Sequence, residues 1–167
     1  MLDPPFYHFL RNIMPSVIKR DGSTEPFDLS KIERLFNLAS FGYPKCSFVD
    51  FTESFRNNIV DGLTTKDITS MMVKTCIDLV SVENIDWEHI AARIKLYDYY
   101  KSNEYTYSKD SYVSLVRDMV NRGEYSTRFA EYSDEELAYA ANHIDPLLDT
   151  EYRYTTIHSL TKRYLKK

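Results

Sequence analysis

Apolar side chains recur at helical spacing along most of this chain, which predicts a mainly α-helical protein. The first helix is predicted over residues 29–40 and the second over residues 50–58, where apolar positions share one face. A third helix is expected to begin at Thr64 or Thr65, and a fourth covers residues 87–101. Because each helix has a single apolar stripe, the four are expected to share one bundle core.

A different pattern, ahead of the first helix, predicts a β-hairpin. Residues 17–18 are β-branched, the Asp-Gly pair at residues 21–22 supplies the positive φ of a tight turn, and residues 24–27 return. Pro26 cannot donate a ladder hydrogen bond, so the return strand is expected at a sheet edge or to end there. Residues 61–63 interrupt the helical pattern and form a candidate third strand.

Further helices are predicted after a polar, tyrosine-rich boundary at residues 102–109. They cover residues 112–121, 134–142 and 154–164. Ser133 is a strong helix start because Glu136, three positions later, completes a capping box. The chain is accordingly divided into an extension at residues 1–15, a first domain at residues 16–105 and a second helical region at residues 106–167.

Composition and charge narrow the class of protein. The 167 residues carry a formal net charge of -4, and this mild acidity argues against a general nucleic-acid binder. A hydrophobic content of 43% with only 4 glycines argues against disorder. Since no apolar run reaches the roughly 20 residues of a membrane span and the N-terminus is not a convincing signal peptide, a cytoplasmic protein is expected.

The candidate chemistry lies at the hairpin and the first helix. Lys19 and Arg20, at the end of the first strand, and Lys31, in the first helix, are expected to converge near the start of that helix. Free backbone N–H groups and the positive end of the helix dipole suit phosphate there. The alternative is a solvated charged hairpin, and the residues alone leave both interpretations open.

The order of residues in this segment adds a family resemblance. The run Val-x-Lys-Arg-Asp-Gly-Ser-Thr-Glu-x-Phe-Asp-x-x-Lys-Ile at residues 17–32 closely resembles the opening of the ATP-cone, the nucleotide-sensing domain of ribonucleotide reductases. The segments that resemble the helical region after the cone in class I large, or α, subunits are residues 120–125, 132–137, 144–145 and 160–165. The resemblance covers about residues 16–165 and implies a four-helix bundle capped by a small β-hairpin or three-stranded sheet, followed by additional helices.

The resemblance also implies a site for ATP or dATP as allosteric effector, with Mg2+ carried on the phosphates. Lysines and the arginine match phosphate-contacting positions, and residues 25–31 match the segment around the base and sugar. The residues implied to bind the nucleotide are Val17, Lys19, Arg20, Glu25, Phe27, Asp28, Lys31, Thr65, Thr69 and Lys101.

Several of these residues have a simpler structural interpretation. Val17 and Phe27, implied walls for the adenine, are typical core residues when considered alone. Thr65 alone is a helix cap, and Lys101 alone is a favourable cation at a helix C-terminus. Thr69 stands where some relatives carry His, which leaves the preference between ATP and dATP open.

The function implied by the resemblance is allosteric control of overall activity in the large subunit of ribonucleoside-diphosphate reductase, which makes deoxyribonucleotides. ATP is expected to favour an active quaternary state and dATP an inhibited one. The expected partners are the rest of the large subunit, in cis or as a split chain, the reductase small subunit and further copies in a homo-oligomer. No nucleic acid and no membrane are expected as partners.

Whether the chain alone could act as a reductase depends on its cysteines. Cys46 and Cys76 match no catalytic or metal-binding motif, and Cys76, on a helical pattern, is expected to be a buried structural thiol. The chain alone is therefore expected to reduce nothing, because the catalytic barrel of the reductase would lie downstream. An engineered fragment, a split-gene product and a free-standing module are all open explanations.

Two other functions compete with nucleotide sensing. The first is a degenerate ATP-cone that acts as a helical protein-interaction module without binding nucleotide. The second is a DNA-binding regulator, which in this family carries a zinc ribbon ahead of the cone. The regulator is disfavoured because residues 1–15 contain no cysteine and the isoelectric point is about 5.6.

Overall fold

The computed structural model describes residues 15–102 and residues 109–165. They fall into two compact units. The first unit consists of two segments, one that runs up to Tyr99 and one that begins at Tyr152, and the second unit is Tyr100–Glu151. The predicted extension, apart from Pro15, and most of the predicted boundary at residues 102–109 lie outside the described residues. The domain limits at residues 16–105 and 106–167 therefore stay predictions.

The described residues are mainly helical with one small sheet, which confirms the predicted fold class. The strands are β1 (Ser16–Ile18), β2 (Thr24–Pro26) and β3 (Leu63–Thr64). The α-helices are α1 (Leu29–Ala39), α2 (Phe48–Phe55), α3 (Thr65–Asp78), α4 (Trp87–Ser102), α5 (Lys109–Asn121), α6 (Asp134–Ala141) and α7 (Tyr154–Ser159). Among these helices, none combines the length and the hydrophobicity needed to cross a bilayer.

The three strands form one sheet in the order β2-β1-β3. β1 pairs antiparallel with β2, with Val17 opposite Glu25, and parallel with β3, with Val17 opposite Leu63. The hairpin and the third strand are both confirmed. β2 is an edge strand that ends at Pro26, as expected of a residue without a backbone N–H.

The turn between β1 and β2 is closed by both backbone and side chain. The Lys19 N–H donates to the Ser23 carbonyl at 2.8 Å, and the Gly22 N–H donates to the Lys19 carbonyl at 3.0 Å. Gly22 has a φ of 82°, which glycine adopts without strain. The Asp21 carboxylate accepts from the Ser23 hydroxyl at 2.6 Å and from its N–H at 2.9 Å, and these bonds lower the pKa of Asp21. The turn therefore holds Arg20 on a fixed backbone.

Side-chain caps set the starts of α1 and α3. Asp28 accepts from the Ser30 N–H at 2.9 Å, so Asp28 rather than Ser30 caps α1. Thr64 and Asp67 form a full capping box at α3. The interpretation of Thr65 as the cap is therefore wrong, because Thr64 already satisfies the free N–H of the first turn.

The second helix differs from its prediction at both ends. α2 begins at Phe48, before the predicted start at residue 50, because Ser47 accepts from the Asp50 N–H at 3.1 Å and acts as the cap. The α-helical part ends at Phe55, and the rest of the predicted helix is a 3-10 turn over Arg56–Asn58. The apolar pattern located this helix, whereas the cap determined where it starts.

An aromatic cluster fills the core of the first unit. The ring centroids of Phe36 and Phe51 lie 4.9 Å apart, and those of Phe51 and Phe55 lie 5.1 Å apart. Trp87 lies 6.0 Å from Phe36, and Met72 from α3 is buried in the same cluster. α1, α2, α3 and α4 therefore share one core, as their apolar stripes predict.

The second unit is built on α5 and α6. Val116, Leu137 and Ala141 are buried there. The capping box of Ser133 and Glu136 is present at the start of α6, which confirms that prediction. The unit also contains 3-10 turns over Thr127–Glu131 and Pro146–Glu151. α5 begins at Lys109, before the predicted start at residue 112.

The last predicted helix belongs to the first unit. Residues 154–164 were expected to form one helix, but the α-helical part is α7, and Leu160–Tyr164 is a π-helical turn. Ile157 is buried, and Tyr154 packs against the core cluster of the first unit.

Candidate functional site

Lys31 and Glu25, two of the predicted binding residues, are in direct contact. The Lys31 amine lies 2.7 Å from a Glu25 carboxylate oxygen, which joins the first turn of α1 to β2. Both side chains are partly exposed, at 49% and 30%. The hydrogen bond from Lys31 lowers the pKa of Glu25, and the charges of Lys31 and Lys19 lower it further. Glu25 therefore lies within the electric field of cations from two different elements.

Arg20 is also paired, but with a residue that the sequence analysis did not single out. An Arg20 guanidinium nitrogen lies 2.6 Å from a carboxylate oxygen of Asp98 in α4. The side chains are 39% and 27% exposed. Asp98 could have been suspected from the sequence because it lies one turn before Lys101, a predicted binding residue in the same helix. Its pairing with Arg20 could not, because 78 residues separate the two and no local pattern joins them.

Lys19 lies in the hairpin turn with an exposed side chain. Within the part of the chain that the structure describes, the Lys19 amine forms no ion pair. Its charge contributes to the lowered pKa values of Asp21 and Glu25, after the hydrogen bonds that dominate both. Lys19 is therefore a cation close to two carboxylates and held by neither.

Asp28 has a structural task at the start of α1. Its carboxylate caps the helix through the Ser30 N–H, and hydrogen bonds with the Ser30 side chain and then with this backbone N–H lower the pKa of Asp28. The carboxylate places negative charge at the positive end of the helix dipole. Its contact with a base or sugar stays a prediction.

The predicted adenine walls lie in and beside the core. Val17 is 5% exposed and belongs to the core cluster, while Phe27 is half-buried and packs against that cluster. The simpler interpretation, that both are core residues, describes what their side chains do in this structure. Contact of either residue with an adenine stays a prediction.

The predicted threonines stand one turn apart at the start of α3. Both are half-buried, and the Thr69 hydroxyl donates to the Thr65 carbonyl at 2.9 Å. This bond directs the Thr69 hydroxyl back along its own helix. Lys101 lies in the last turn of α4 with an exposed side chain and belongs to the second unit, so its part in the site stays a prediction.

The charges of the hairpin region nearly balance. The cations are Lys19, Arg20 and Lys31, and the carboxylates are Asp21, Glu25, Asp28 and Asp98. An incoming polyanion must therefore replace carboxylates as the partner of Arg20 and Lys31. Guanidinium and ammonium groups bind phosphate and carboxylate by the same charge-assisted hydrogen bonds, so a phosphate can replace the carboxylate without any change of donor groups.

The two cysteines are both buried and unbridged. Burial raises the pKa of Cys46 to about 11, and desolvation also raises that of Cys76. The thiolate is the reactive form of cysteine, so both thiols are poor nucleophiles at neutral pH. The prediction that Cys76 is a buried thiol on a helix is confirmed.

Comparison with known proteins agrees with the motif at the hairpin. The model of the ATP cone domain family matches residues 15–102. The ribonucleoside-diphosphate reductase 1 subunit alpha of Escherichia coli (strain K12) is 30% identical over 150 residues, which are 89% of this chain and 20% of that protein. The subunit alpha of Enterobacteria phage T4 is 29% identical over 153 residues, or 91% of this chain and 20% of that protein.

The subunit alpha of Synechocystis sp. is 28% identical over 151 residues, which are 89% of this chain and 20% of that protein. The chain thus spans about one fifth, or 20%, of the length of each of these relatives. The family model covers more than half of the chain, and its range contains the hairpin, the sheet and α1 to α4. The chain belongs to the ATP cone domain family.

Proposed function

We propose that this chain is the allosteric nucleotide-binding region of a ribonucleoside-diphosphate reductase large subunit and controls overall activity in deoxyribonucleotide synthesis. The observation that carries the proposal is the contact of Lys31 with Glu25, in the field of Lys19. The contact joins the cation at the start of α1 to Glu25, and the charge of Lys19 in the hairpin turn acts on the same carboxylate. A nucleotide phosphate can take the place of that carboxylate with the same donors.

The effector is ATP or dATP, with Mg2+ on the phosphates. Arg20 suits a phosphate because its planar guanidinium can donate two parallel hydrogen bonds, and Lys19 and Lys31 act as point charges. The remaining proposed contacts are those of Val17, Glu25, Phe27, Asp28, Thr65, Thr69 and Lys101. The helix dipole of α1 contributes less to the site, because the Asp28 carboxylate already accepts from the Ser30 N–H at the positive end of the helix.

Regulation follows from a difference in affinity between two states. ATP and dATP change activity only if each binds one quaternary arrangement better than the other. The coupling is reciprocal, so an arrangement favoured by dATP must also bind dATP more tightly. The proposed partners are the rest of the large subunit, the reductase small subunit and further copies of the chain, in the cytoplasm.

The chain alone is proposed to have no reductase activity. Cys46 and Cys76 are buried with raised pKa values, so neither offers a thiolate to a substrate. The assay combines the chain with a reductase small subunit, a thiol reductant and a ribonucleoside diphosphate. Formation of a deoxyribonucleotide that depends on the chain would contradict this part of the proposal.

A second candidate function is a protein-interaction module that binds no nucleotide. It is favoured by the ion pairs of Arg20 and Lys31, because both cations already have carboxylate partners. The hydroxyl of Thr69 is likewise bonded within its own helix. Under this alternative the charged hairpin is a solvated surface and the helices supply the binding face.

Calorimetric titration with ATP and dATP separates the two candidates. The test variant is Lys19→Ala with Lys31→Ala, and the matched control is Lys45→Ala with Lys74→Ala, which removes two exposed lysines of the same unit. Each lost phosphate contact is expected to weaken binding by about 10- to 100-fold. The control is expected to bind within about twofold of the unchanged chain.

The results of these titrations distinguish the nucleotide site from the interaction module. Binding to the unchanged chain and to the control, with loss in the test variant, supports a nucleotide site at the hairpin. Absence of binding to a folded, unchanged chain contradicts the proposal and favours the interaction module. Equal binding by the test variant would move the site away from the hairpin and α1.

A further inference from the structure

The pairing of Arg20 with Asp98 occupies a cation that the proposed nucleotide site needs. Arg20 is the cation best suited to a phosphate, because its guanidinium is planar and can donate two parallel bonds. In the structure that guanidinium donates to the Asp98 carboxylate at 2.6 Å, across 78 residues of chain. An anionic side chain therefore already holds the group on which phosphate binding depends.

The ion pair is not needed to hold the fold together. The core cluster already contains Val17 of β1 together with Ile90 and Ile94 of α4, all of them buried. The Arg20 and Asp98 side chains are 39% and 27% exposed, and ion pairs this open to water contribute little to stability. Asp98 also caps no helix, since it lies inside Trp87–Ser102.

The position of Asp98 has a direct electrostatic consequence. A phosphate that bonds to the Arg20 guanidinium comes close to a carboxylate only 2.6 Å from one of its nitrogens. Like charges at such short separations repel, and the repulsion grows with the charge of the ligand. Triphosphates are therefore disfavoured more strongly than monophosphates.

We propose that Asp98 sets the affinity of the nucleotide site by competing with the ligand's phosphates for Arg20. The inference rests on the proposed function and adds to it a residue that weakens binding. Occupancy then requires a nucleotide concentration high enough to displace Asp98 from Arg20. The ligand class is a nucleoside triphosphate, which meets the largest repulsion from Asp98 but also offers the most acceptor oxygens to the released guanidinium.

The test compares Asp98→Asn with the unchanged chain in calorimetric titrations with dATP, ATP and AMP at one salt concentration. Asn keeps the shape and removes the charge. Affinity for both triphosphates is expected to rise about three- to fivefold, the upper part of the range of one exposed charge pair. The gain for AMP is expected to be smaller. Asp98→Glu keeps the charge and is expected to bind within about twofold of the unchanged chain.

Asp78→Asn is the matched control. Asp78 also lies in a helix of the first unit and pairs with a lysine, Lys74, while its side chain is exposed. The control makes the same change in net charge outside the proposed site. It is expected to leave every affinity within about twofold. Thermal unfolding of the variants checks that none has lost its fold.

Each outcome decides the inference. The role of Asp98 is overturned if Asp98→Asn and the unchanged chain bind with equal affinity. If the Lys19→Ala and Lys31→Ala substitutions still abolish that binding, the proposed function stands. Weaker binding by Asp98→Asn also overturns the role of Asp98, because Asp98 would then hold Arg20 ready for phosphate. Binding by Asp98→Asn alone supports it. No binding by either protein overturns the proposed function, and this inference with it.

Discussion

The Lys31 amine lies 2.7 Å from the Glu25 carboxylate, so the start of α1 is bonded to the strand that returns from the hairpin. The pair has two possible tasks, holding these elements together and holding a cation where a phosphate can reach it. Exposed ion pairs contribute at most about 1 kcal/mol to stability, which favours the second task.

Exchanging the two charges separates the tasks. Lys31→Glu with Glu25→Lys preserves the ion pair, so the melting temperature is expected to stay within about 4 °C of the unchanged chain. ATP affinity is expected to fall about tenfold or more, because the start of α1 loses its cation. Calorimetry and thermal unfolding on the same samples make the measurement. Unchanged affinity would show that phosphate binding does not require the cation at position 31 itself.

The aromatic core makes a prediction about stability. Phe51→Ala is expected to cost about 3–5 kcal/mol of unfolding free energy, because it empties a fully buried ring position. Phe41→Ala is the control, since Phe41 is 82% exposed and the same substitution is expected to cost less than about 0.5 kcal/mol. Urea unfolding measures both. Similar losses in the two variants would contradict the described core.

Arg117 is expected to stabilise the second unit. Its guanidinium donates to the Asp134 carboxylate at 2.7 Å and to the carbonyls of Tyr132 at 2.6 Å and Phe129 at 3.2 Å. Arg117→Met keeps the aliphatic stem and removes these bonds, so a loss of about 1–2 kcal/mol is expected.

The matched control for this variant is Arg122→Met. Arg122 forms an ion pair with Asp118 one turn away, and its side chain is 51% exposed. Its removal is expected to cost less than about 0.5 kcal/mol. Hydrogen exchange of the amides in α5 and α6 reports on this unit directly. Equal protection in both variants would contradict the role of Arg117.

Stability is expected to fall in acid. Among the residues that the structure describes, the fold lowers the pKa values of the carboxyl groups of Asp21, Glu25, Asp28, Asp61, Asp67 and Glu83. A lowered pKa favours the folded state above the ordinary values of 3.8 for Asp and 4.5 for Glu, and this advantage disappears as the pH falls through the lower folded values.

His158 adds a smaller effect in the same direction. Desolvation lowers the pKa of His158 below its ordinary 6.5, so protonation below that pH favours the unfolded chain. The melting temperature is therefore expected to decline slightly below pH 6.5 and steeply below about pH 4.5. Thermal unfolding monitored by circular dichroism between pH 3 and pH 8 tests the profile. A melting temperature that rises on acidification would contradict the assigned hydrogen bonds.

Local signals in the sequence predicted most of the fold. The Asp-Gly turn at residues 21–22 and the capping boxes begun by Thr64 and Ser133 each depend on residues a few positions apart, so they could be recognised without a structure. The bundle followed from apolar periodicity. The start of α2 was misplaced because Ser47 and Asp50 are both acceptable caps, and only the fold selects between them.

The candidate site was less accessible from sequence. Local order predicted that Lys19 and Lys31 would approach each other, since a single turn and one cap separate their elements. The pairing of Arg20 with Asp98 joins residues that are 78 positions apart, which no short-range pattern encodes. The burial of Val17, by contrast, agrees with its interpretation from sequence alone, since Val17 considered by itself is a typical core residue.

Mapping the binding of dATP by nuclear magnetic resonance tests the central claim most directly, and the 19.7 kDa chain suits the method. Amide shifts in a nitrogen-15-labelled sample are expected to change with saturation at residues 17–31, at the start of α3 and at the end of α4, where Asp98 and Lys101 lie. The amides of α5 and α6 serve as the internal reference and are expected to change least. Saturable shifts centred on residues 17–31, the first turn of α3 and the end of α4 would support the nucleotide site. Absent shifts, or shifts centred on α5 and α6, would contradict it.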